Sequence, residues 1–392
     1  MWGVKVNREV INQLINEVKA ENIIIPEVVI EKGALRQITS YVEEQKFTKL
    51  VLVVDENTKN VVGHSLEKLL SDQGNIVTTV ELRPNKHGQV IANEETLVQL
   101  LVETPSDTHT ILAVGSGTIH DVVRFVSYKM NIPFISVPTA ASVDGFTSKG
   151  APLIFRGFKE TIQTASPLAV FADINVLKAA PREMTAAGFG DIVGKYTSLL
   201  DWQISHLVAN EPYNNLAAKL TRESLEACVK NVPQIAAHED EGLEILMKSL
   251  IESGLVMLIL DFSRPASGSE HHLSHYWEME LLKNDEKQLL HGAKVGVAST
   301  ITIDLYKSFI VDFDINHVSS DYIHIENFRE HWPKIRQMIE ALPNSDDIRR
   351  YLKDVGGPAT AEELNIPDQL VSNSLNEAYH LRDRCTGLLL VN

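Results

Sequence analysis

The chain has 392 residues, 44% of them apolar and 22% charged, which is the composition of an ordinary globular protein long enough for about two domains. Its formal charge of −16 argues against nucleic acid or an anionic membrane as the main partner, since both demand concentrated positive charge. Only two cysteines are present, Cys228 and Cys385, too few for a disulfide framework or a thiolate metal cluster.

The opening stretch, MWGVKVNREVINQLINEVKAE, is interrupted throughout by acidic and polar residues and does not read as a secretory signal. The longest strongly apolar run, LVMLIL at 255–260, falls far short of the ~20 residues that span a bilayer. A cytoplasmic protein is expected. Within the opening stretch, Val10, Ile11, Leu14, Ile15 and Val18 form one helical stripe. Short β-branched runs follow: KLVLVVD (49–55), IVTTVEL (76–82), TILAVGSG (110–117), PFISVPT (133–139) and LAVFADI (168–174). Most are separated by helical pattern, and their continuous apolar character fits strands covered on both faces of a parallel sheet. From Pro181 onward helical periodicity takes over, broken at NEPYNN, SRPASGS and VGGPAT. The predicted architecture is a Rossmann-like α/β domain over 1–180 and an all-α domain over 181–392, with the active site in the cleft between them.

Three loops at the carboxyl edge of the predicted sheet carry the first functional signal. ILAVGSGTIHDVV runs from a strand through Gly115-Ser116-Gly117 into a helix starting near Thr118. Such a turn lets backbone approach a phosphate, and the helix N-terminus offers unpaired amides and a positive dipole end. The third glycine of the dinucleotide fingerprint is replaced by His120. VVDENT ends a strand on Asp55, placed either to bind a ribose hydroxyl or to cap a helix. SVPTAASVDGFTSKGAP (136–152) is a second exit rich in small hydroxyl residues. Together these loops point to a nucleotide at the sheet edge.

The second signal is SRPASGSEHHLSHYWEME at 263–280, with three histidines in five positions. His271 and His275 stand four apart and share a helix face, while His272 lies about 100° away. A metalloprotease site would need glutamate at position 272, so that reading fails. GFGDIVGK supplies Asp191 and LLHGAKVGVA supplies His291 as further candidate ligands. One carboxylate and two imidazoles would leave coordination positions open, as catalytic sites require. Helix capping for Asp191 and a solvated or capped position for His291 are equally compatible with the spacing.

From about Asp55 to Gly296 the chain resembles the sn-glycerol-1-phosphate dehydrogenases. These belong to the larger group that includes glycerol dehydrogenase, iron-containing alcohol dehydrogenases and dehydroquinate synthase. The motifs GSGTIHD, PTAASVDGFTS, AAGFGDIVGKYTSLLDW, SRPASGSEHHLSH and HGAKVG occur in the family's order. The resemblance implies one divalent metal, zinc or nickel, on Asp191, His271 and His291. It places His275 in the substrate pocket as a hydrogen-bond or proton-relay partner and Asp144 on a substrate hydroxyl. It assigns Asp55, Gly115, Ser116, Gly117, Thr118, Ile119, His120, Asp121, Thr139, Ser142 and Ser148 to an NAD(H) cofactor, with NADP(H) as a second possibility. The implied reaction is reversible hydride transfer between NAD(P)H and dihydroxyacetone phosphate, giving sn-glycerol 1-phosphate for lipid backbones, in an enzyme plausibly dimeric.

A phosphorylated substrate needs cations in an acidic protein. Arg264, beside the histidines, is the first candidate, followed by Lys149 and Lys195. His272 is left to a packed or solvated role. Competing expectations are a glycerol or small-polyol dehydrogenase on the same scaffold, a dehydroquinate synthase-like lyase that retains NAD, and a binding protein with a closed structural metal site.

Overall fold

A computed structural model describes residues 7–20, 23–317 and 324–392; residues 1–6 of the opening stretch lie outside it. Six strands form one sheet, all parallel: β1 (Glu27–Glu31), β2 (Lys49–Val54), β3 (Ile76–Glu81), β4 (Thr110–Gly115), β5 (Phe134–Pro138) and β8 (Ala169–Asp173). Their order across the sheet is β1-β8-β5-β4-β2-β3. The central strands LVLVV, TILAVG, FISVP and AVFAD are buried along their lengths, because helices cover both faces. The edge strands EVVIE and IVTTVE are shorter of apolar residues and partly exposed, as unpaired edges require. After β3 the chain crosses to the other side of β2, so the carboxyl ends of β2 and β4 flank a switch in strand order, where open α/β sheets bind ligands.

Between β5 and β8 the chain forms an antiparallel hairpin, β6 (Gly150–Phe155) and β7 (Phe158–Gln163), in place of a crossover helix. β1, with only three apolar residues between glutamates, is a strand that the sequence pattern did not reveal.

From Arg182 on, every regular element among the described residues is helical. The helices Arg182–Val193, Lys195–Ala209, Asp240–Leu260 and His291–Asp312 contribute to a core containing Phe189, Trp202, Leu250 and Ile303, which also takes Ile30 from β1 and Val170 and Ala172 from β8. The first helix, Arg8–Val18, inserts Ile11 and Leu14 into that same core. A division at residue 180 would leave it with the sheet, but its apolar stripe is buried by the helices. Among the described residues no helix is long and apolar enough to cross a membrane.

Candidate active site

A cleft of about 320 Å³ runs between the carboxyl edge of the sheet, the β6–β7 hairpin and the helical region. On the sheet side, β4 ends at Gly115 and the helix Gly117–Met130 begins after an extended Ser116 that makes no side-chain capping bond. Ser116, Gly117 and Thr118 therefore present an uncapped helix N-terminus to the cleft. A Cβ at Gly115 would lie 2.4 Å from the Ile119 side chain, so the turn is tight because Ile119 packs beneath it. Ser142, Asp144 and Ser148 line the cleft from the β5 exit, and Asp121 from the first turns of the helix.

Other residues expected at the cofactor lie behind this surface. His120 is buried, with Nδ1 bonded to the Ser116 carbonyl and Nε2 to Ser136 Oγ, both at 2.8 Å. Burial pushes its pKa down to about 3, so the neutral ring braces the turn from within. Gly115, Ile119 and Thr139 are not part of the cleft wall. Asp55 caps a short helix, accepting from the Thr58 amide at 2.8 Å in a reciprocal capping box, and it too stands outside the wall.

On the helical side, the expected ligands converge. Donor atoms of Asp191, His271 and His291 lie within 4.8 Å of one another, and the rings of His271 and His291 are 5.1 Å apart. Glycine makes this possible. A Cβ at Gly190 would fall 2.2 Å from the Gly292 carbonyl oxygen, and one at Gly292 would fall 1.8 Å from that of Ala187. Backbones thus touch where the helices Arg182–Val193 and His291–Asp312 cross, beside Asp191 and His291. Gly188 likewise abuts the Ala141 carbonyl, and nearby the Asp144 amide donates to Asp191 Oδ2 at 2.9 Å.

The donor set suits a divalent cation. His271 Nδ1 bonds to Glu270 Oε1 at 2.7 Å, which leaves Nε2, 3.8 Å from Asp191 Oδ1, as the ligating nitrogen. Burial holds the imidazoles of His271, His275 and His291 well below their ordinary pKa, so they are neutral lone-pair donors. Burial and the neighbouring Asp144 carboxylate push Asp191 up to about 7, a cost that a cation would offset. Lys195 is fully buried and bridges the pair, 2.7 Å from Asp144 Oδ2 and 3.4 Å from Asp191 Oδ1.

Of the phosphate candidates, Arg264 is ion-paired with Glu211 at 2.6 Å and stands outside the cleft wall. Lys195 is sealed beneath the wall, and Lys149, though in the wall, pairs with Asp261 at 2.8 Å. His272 is packed, with neither ring nitrogen meeting a partner. The structure adds residues to which the motifs assigned no role: Lys159 from β7, Glu278, Lys294 and Arg382 all line the cleft. Glu278 accepts from Lys159 at 2.8 Å and from Lys294 at 2.8 Å. Burial alone would raise its carboxyl, but the two ammoniums hold it well below the usual range. Lys294 lies within HGAKVG and Glu270 directly precedes His271, so both had local signals; Lys159 and Arg382 had none.

A parallel sheet presenting a helix N-terminus across a cleft from an Asp/His donor set is the layout of a candidate nucleotide site facing a candidate cation site. Residues 29–181 match the family model for iron-containing alcohol dehydrogenases. The chain is 46% identical to a glycerol-1-phosphate dehydrogenase, NAD(P)+, of Geobacillus stearothermophilus over 94% of this chain and 92% of that one. It is 45% identical to the Bacillus subtilis (strain 168) enzyme of the same name, covering 94% and 91%, and 31% identical to one from Pyrococcus furiosus, covering 91% and 90%. The chain belongs to the glycerol-1-phosphate dehydrogenase family. Solved structures share the fold at lower identity. A probable glycerol dehydrogenase from Sinorhizobium meliloti 1021 superimposes with TM-score 0.66 at 16% identity over 90% of this chain and 89% of that one. A sulfoacetaldehyde reductase from Bifidobacterium kashiwanohense in complex with NAD+ gives 0.64 at 15%, covering 91% of each.

Proposed function

We propose that this chain catalyses the reversible, metal-dependent reduction of dihydroxyacetone phosphate by NAD(P)H to sn-glycerol 1-phosphate, supplying a glycerophosphate backbone for lipids. The observation that carries it is the facing of two half-sites across one cleft: the uncapped turn at Ser116–Thr118 and the donor set of Asp191, His271 and His291. Relatives at about half identity over nearly the whole chain bear the same activity in their names.

In this reading the turn at Ser116–Thr118 holds the cofactor's pyrophosphate, with Ser142 and Ser148 beside it. A nicotinamide cofactor held there would supply the hydride, and residues on the sheet side would fix which face of C2 it reaches. A divalent ion on Asp191, His271 and His291, zinc or nickel, would supply a Lewis acid for the ketone oxygen. Asp144, held by Lys195 and by Ser253 Oγ at 2.8 Å, orients the substrate hydroxyl. His275 Nδ1 lies 3.1 Å from Arg382 Nη2. A guanidinium cannot accept, so the neutral ring carries its proton on Nε2. That proton is the one passed to the developing alkoxide. We assign the enzyme to the cytoplasm, as a homodimer whose metal residues fall in the helical region after residue 181, with Asp144 reaching the substrate from the sheet side.

The test is NADH oxidation with dihydroxyacetone phosphate, using chelated enzyme with and without added Zn²⁺ or Ni²⁺, and chiral analysis of the product. Metal-dependent formation of the 1-phosphate is expected. Turnover of glycerol or dihydroxyacetone alone, or formation of the 3-phosphate, would overturn the reading.

A further inference from the structure

We infer that Arg382, together with Ser267, forms the subsite for the substrate's phosphoryl group. The inference rests on the phosphorylated substrate proposed above and names the residues that select it. Five cationic side chains line the cleft: Arg124, Lys149, Lys159, Lys294 and Arg382. Each of the four besides Arg382 has a carboxylate within ion-pair distance. Arg124 donates to the Gly150 carbonyl at 2.6 Å and to that of Gly145, and it pairs with Asp121 at 3.3 Å. Lys149 is held by Asp261, and Lys159 and Lys294 share Glu278.

Arg382 differs from all four. Its partners are neutral: Ser267 Oγ at 3.1 Å from Nη1 and His275 Nδ1 at 3.1 Å from Nη2. No carboxylate among the described residues lies within ion-pair distance of it. The negative charge that bears on it is Glu270, whose oxygens already accept from Thr197, the Gly268 amide and His271. Burial pushes the Arg382 pKa down, and burial with the neighbouring guanidiniums Arg382 and Arg264 pushes Arg384 down to about 9. Cationic charge crowded in this way is stabilised by a bound anion, and a guanidinium fork matches phosphate oxygens.

The position also fits the reaction. The His275 ring lies 6.0 Å from that of His271 and 5.9 Å from that of His291. Arg382, bonded to Nδ1 of that ring, thus stands next to a side chain that neighbours the donor set. The C2–C3–O–P link of a ketose phosphate spans such a gap, with the carbonyl at the donor set and the phosphoryl group at the arginine. The subsite is built rigidly. Arg384 donates to the Ser267 carbonyl at 2.9 Å and to Ser263 Oγ at 3.0 Å. The chain just beyond is pinned by the Gly387 amide on Asp201 at 2.8 Å and the Leu388 amide on Ser269 Oγ at 3.3 Å. The C-terminal segment therefore closes one end of the cleft with a preorganised donor pair.

The experiment compares wild type, Arg382→Gln, Arg382→Lys and Lys159→Gln, all metal-loaded, on dihydroxyacetone phosphate and on dihydroxyacetone. It also measures the rise in Tm caused by inorganic phosphate. Arg382→Gln should lower the ratio of kcat/KM for the phosphorylated over the unphosphorylated ketone roughly 100-fold, mainly through KM, with Arg382→Lys recovering part. The phosphate-induced rise in Tm should disappear in Arg382→Gln and persist in Lys159→Gln. Equal losses on both ketones would mean that Arg382 acts only through His275, and would overturn the proposal. A phosphate response retained in Arg382→Gln, or lost in Lys159→Gln instead, would overturn it as well. Failure of wild type to reduce dihydroxyacetone phosphate would sink the proposed function, while the phosphate response still judges the subsite separately.

Discussion

Asp121 shows how one side chain's surroundings become a measurable property. It faces the cleft at the cofactor end, and burial, only partly offset by Arg124, pushes its carboxyl up to about 7 from 3.8. The folded chain therefore binds this proton more tightly than the unfolded chain does. Its contribution to stability is fully present below about pH 4, falls as pH rises towards 7, and is flat above that. Unfolding free energies of wild type and Asp121→Asn, measured at about pH 5 and about pH 8, should diverge: wild type should lose about 2 kcal/mol relative to the variant across that interval. A pH-independent difference would show that Asp121 ionises normally in the folded state. The same scale separates the histidines. His271 is tied to Glu270, His275 to Arg382, and His120 to Ser136. For His271 and His275 the partner determines which nitrogen remains free, whereas both nitrogens of His120 are bonded.

At the scale of elements, the decisive contact is the crossing of the helices Arg182–Val193 and His291–Asp312. Glycines at 190 and 292 let the backbones meet, and Asp191 and His291 are adjacent to them in the chain. Gly292→Ala would drive a methyl into the Ala187 carbonyl. It should cost about 1–3 kcal/mol by overpacking and weaken metal binding by displacing His291, as read by denaturant unfolding and metal titration. Unchanged metal affinity would show that the crossing does not position the ligand. The hairpin of β6 and β7 serves a second positioning role. It carries Lys159 to Glu278 across the cleft, joining the sheet region to the histidine helix Ser269–Lys283.

For the whole molecule, the proposed cofactor surface comes from the sheet and the proposed metal ligands come from the helices. The two sites should separate experimentally. Chelation should abolish turnover yet leave NADH affinity, followed by fluorescence titration, within about 2-fold, as for sites without shared partners. A loss of NADH binding in step with the metal would show that the link from Asp144 to Asp191 couples them. The overall charge of −16 does not conflict with an anionic substrate, because local cations such as Arg382 line the cleft whatever the sign of the net charge.

Much of this was legible in the chain itself. Buried parallel strands have no polar alternation, so LVLVV, TILAVG and FISVP declared the sheet, and periodicity after Pro181 declared the helices. GSG and the pairing of glycine with Asp191 and with His291 marked both half-sites, because close backbone approach leaves glycine as the only fit. Local pattern misled where the partner was distant. Arg264 lay beside the histidines in sequence but pairs with Glu211, and His120 turned inward to brace a turn, while Asp55 took the capping role that its junction also allowed. Asp191, His271 and His291 are separated by as much as a quarter of the chain, and Arg382 lies another ninety residues on, in a segment without a motif. The sequence by itself determined which residue types could bind a nucleotide and a cation, since that chemistry is carried by single side chains and short turns. Only the tertiary structure decided which charges are cancelled and which remain free in the cleft, because compensation depends on distances across the fold and not on order along the chain.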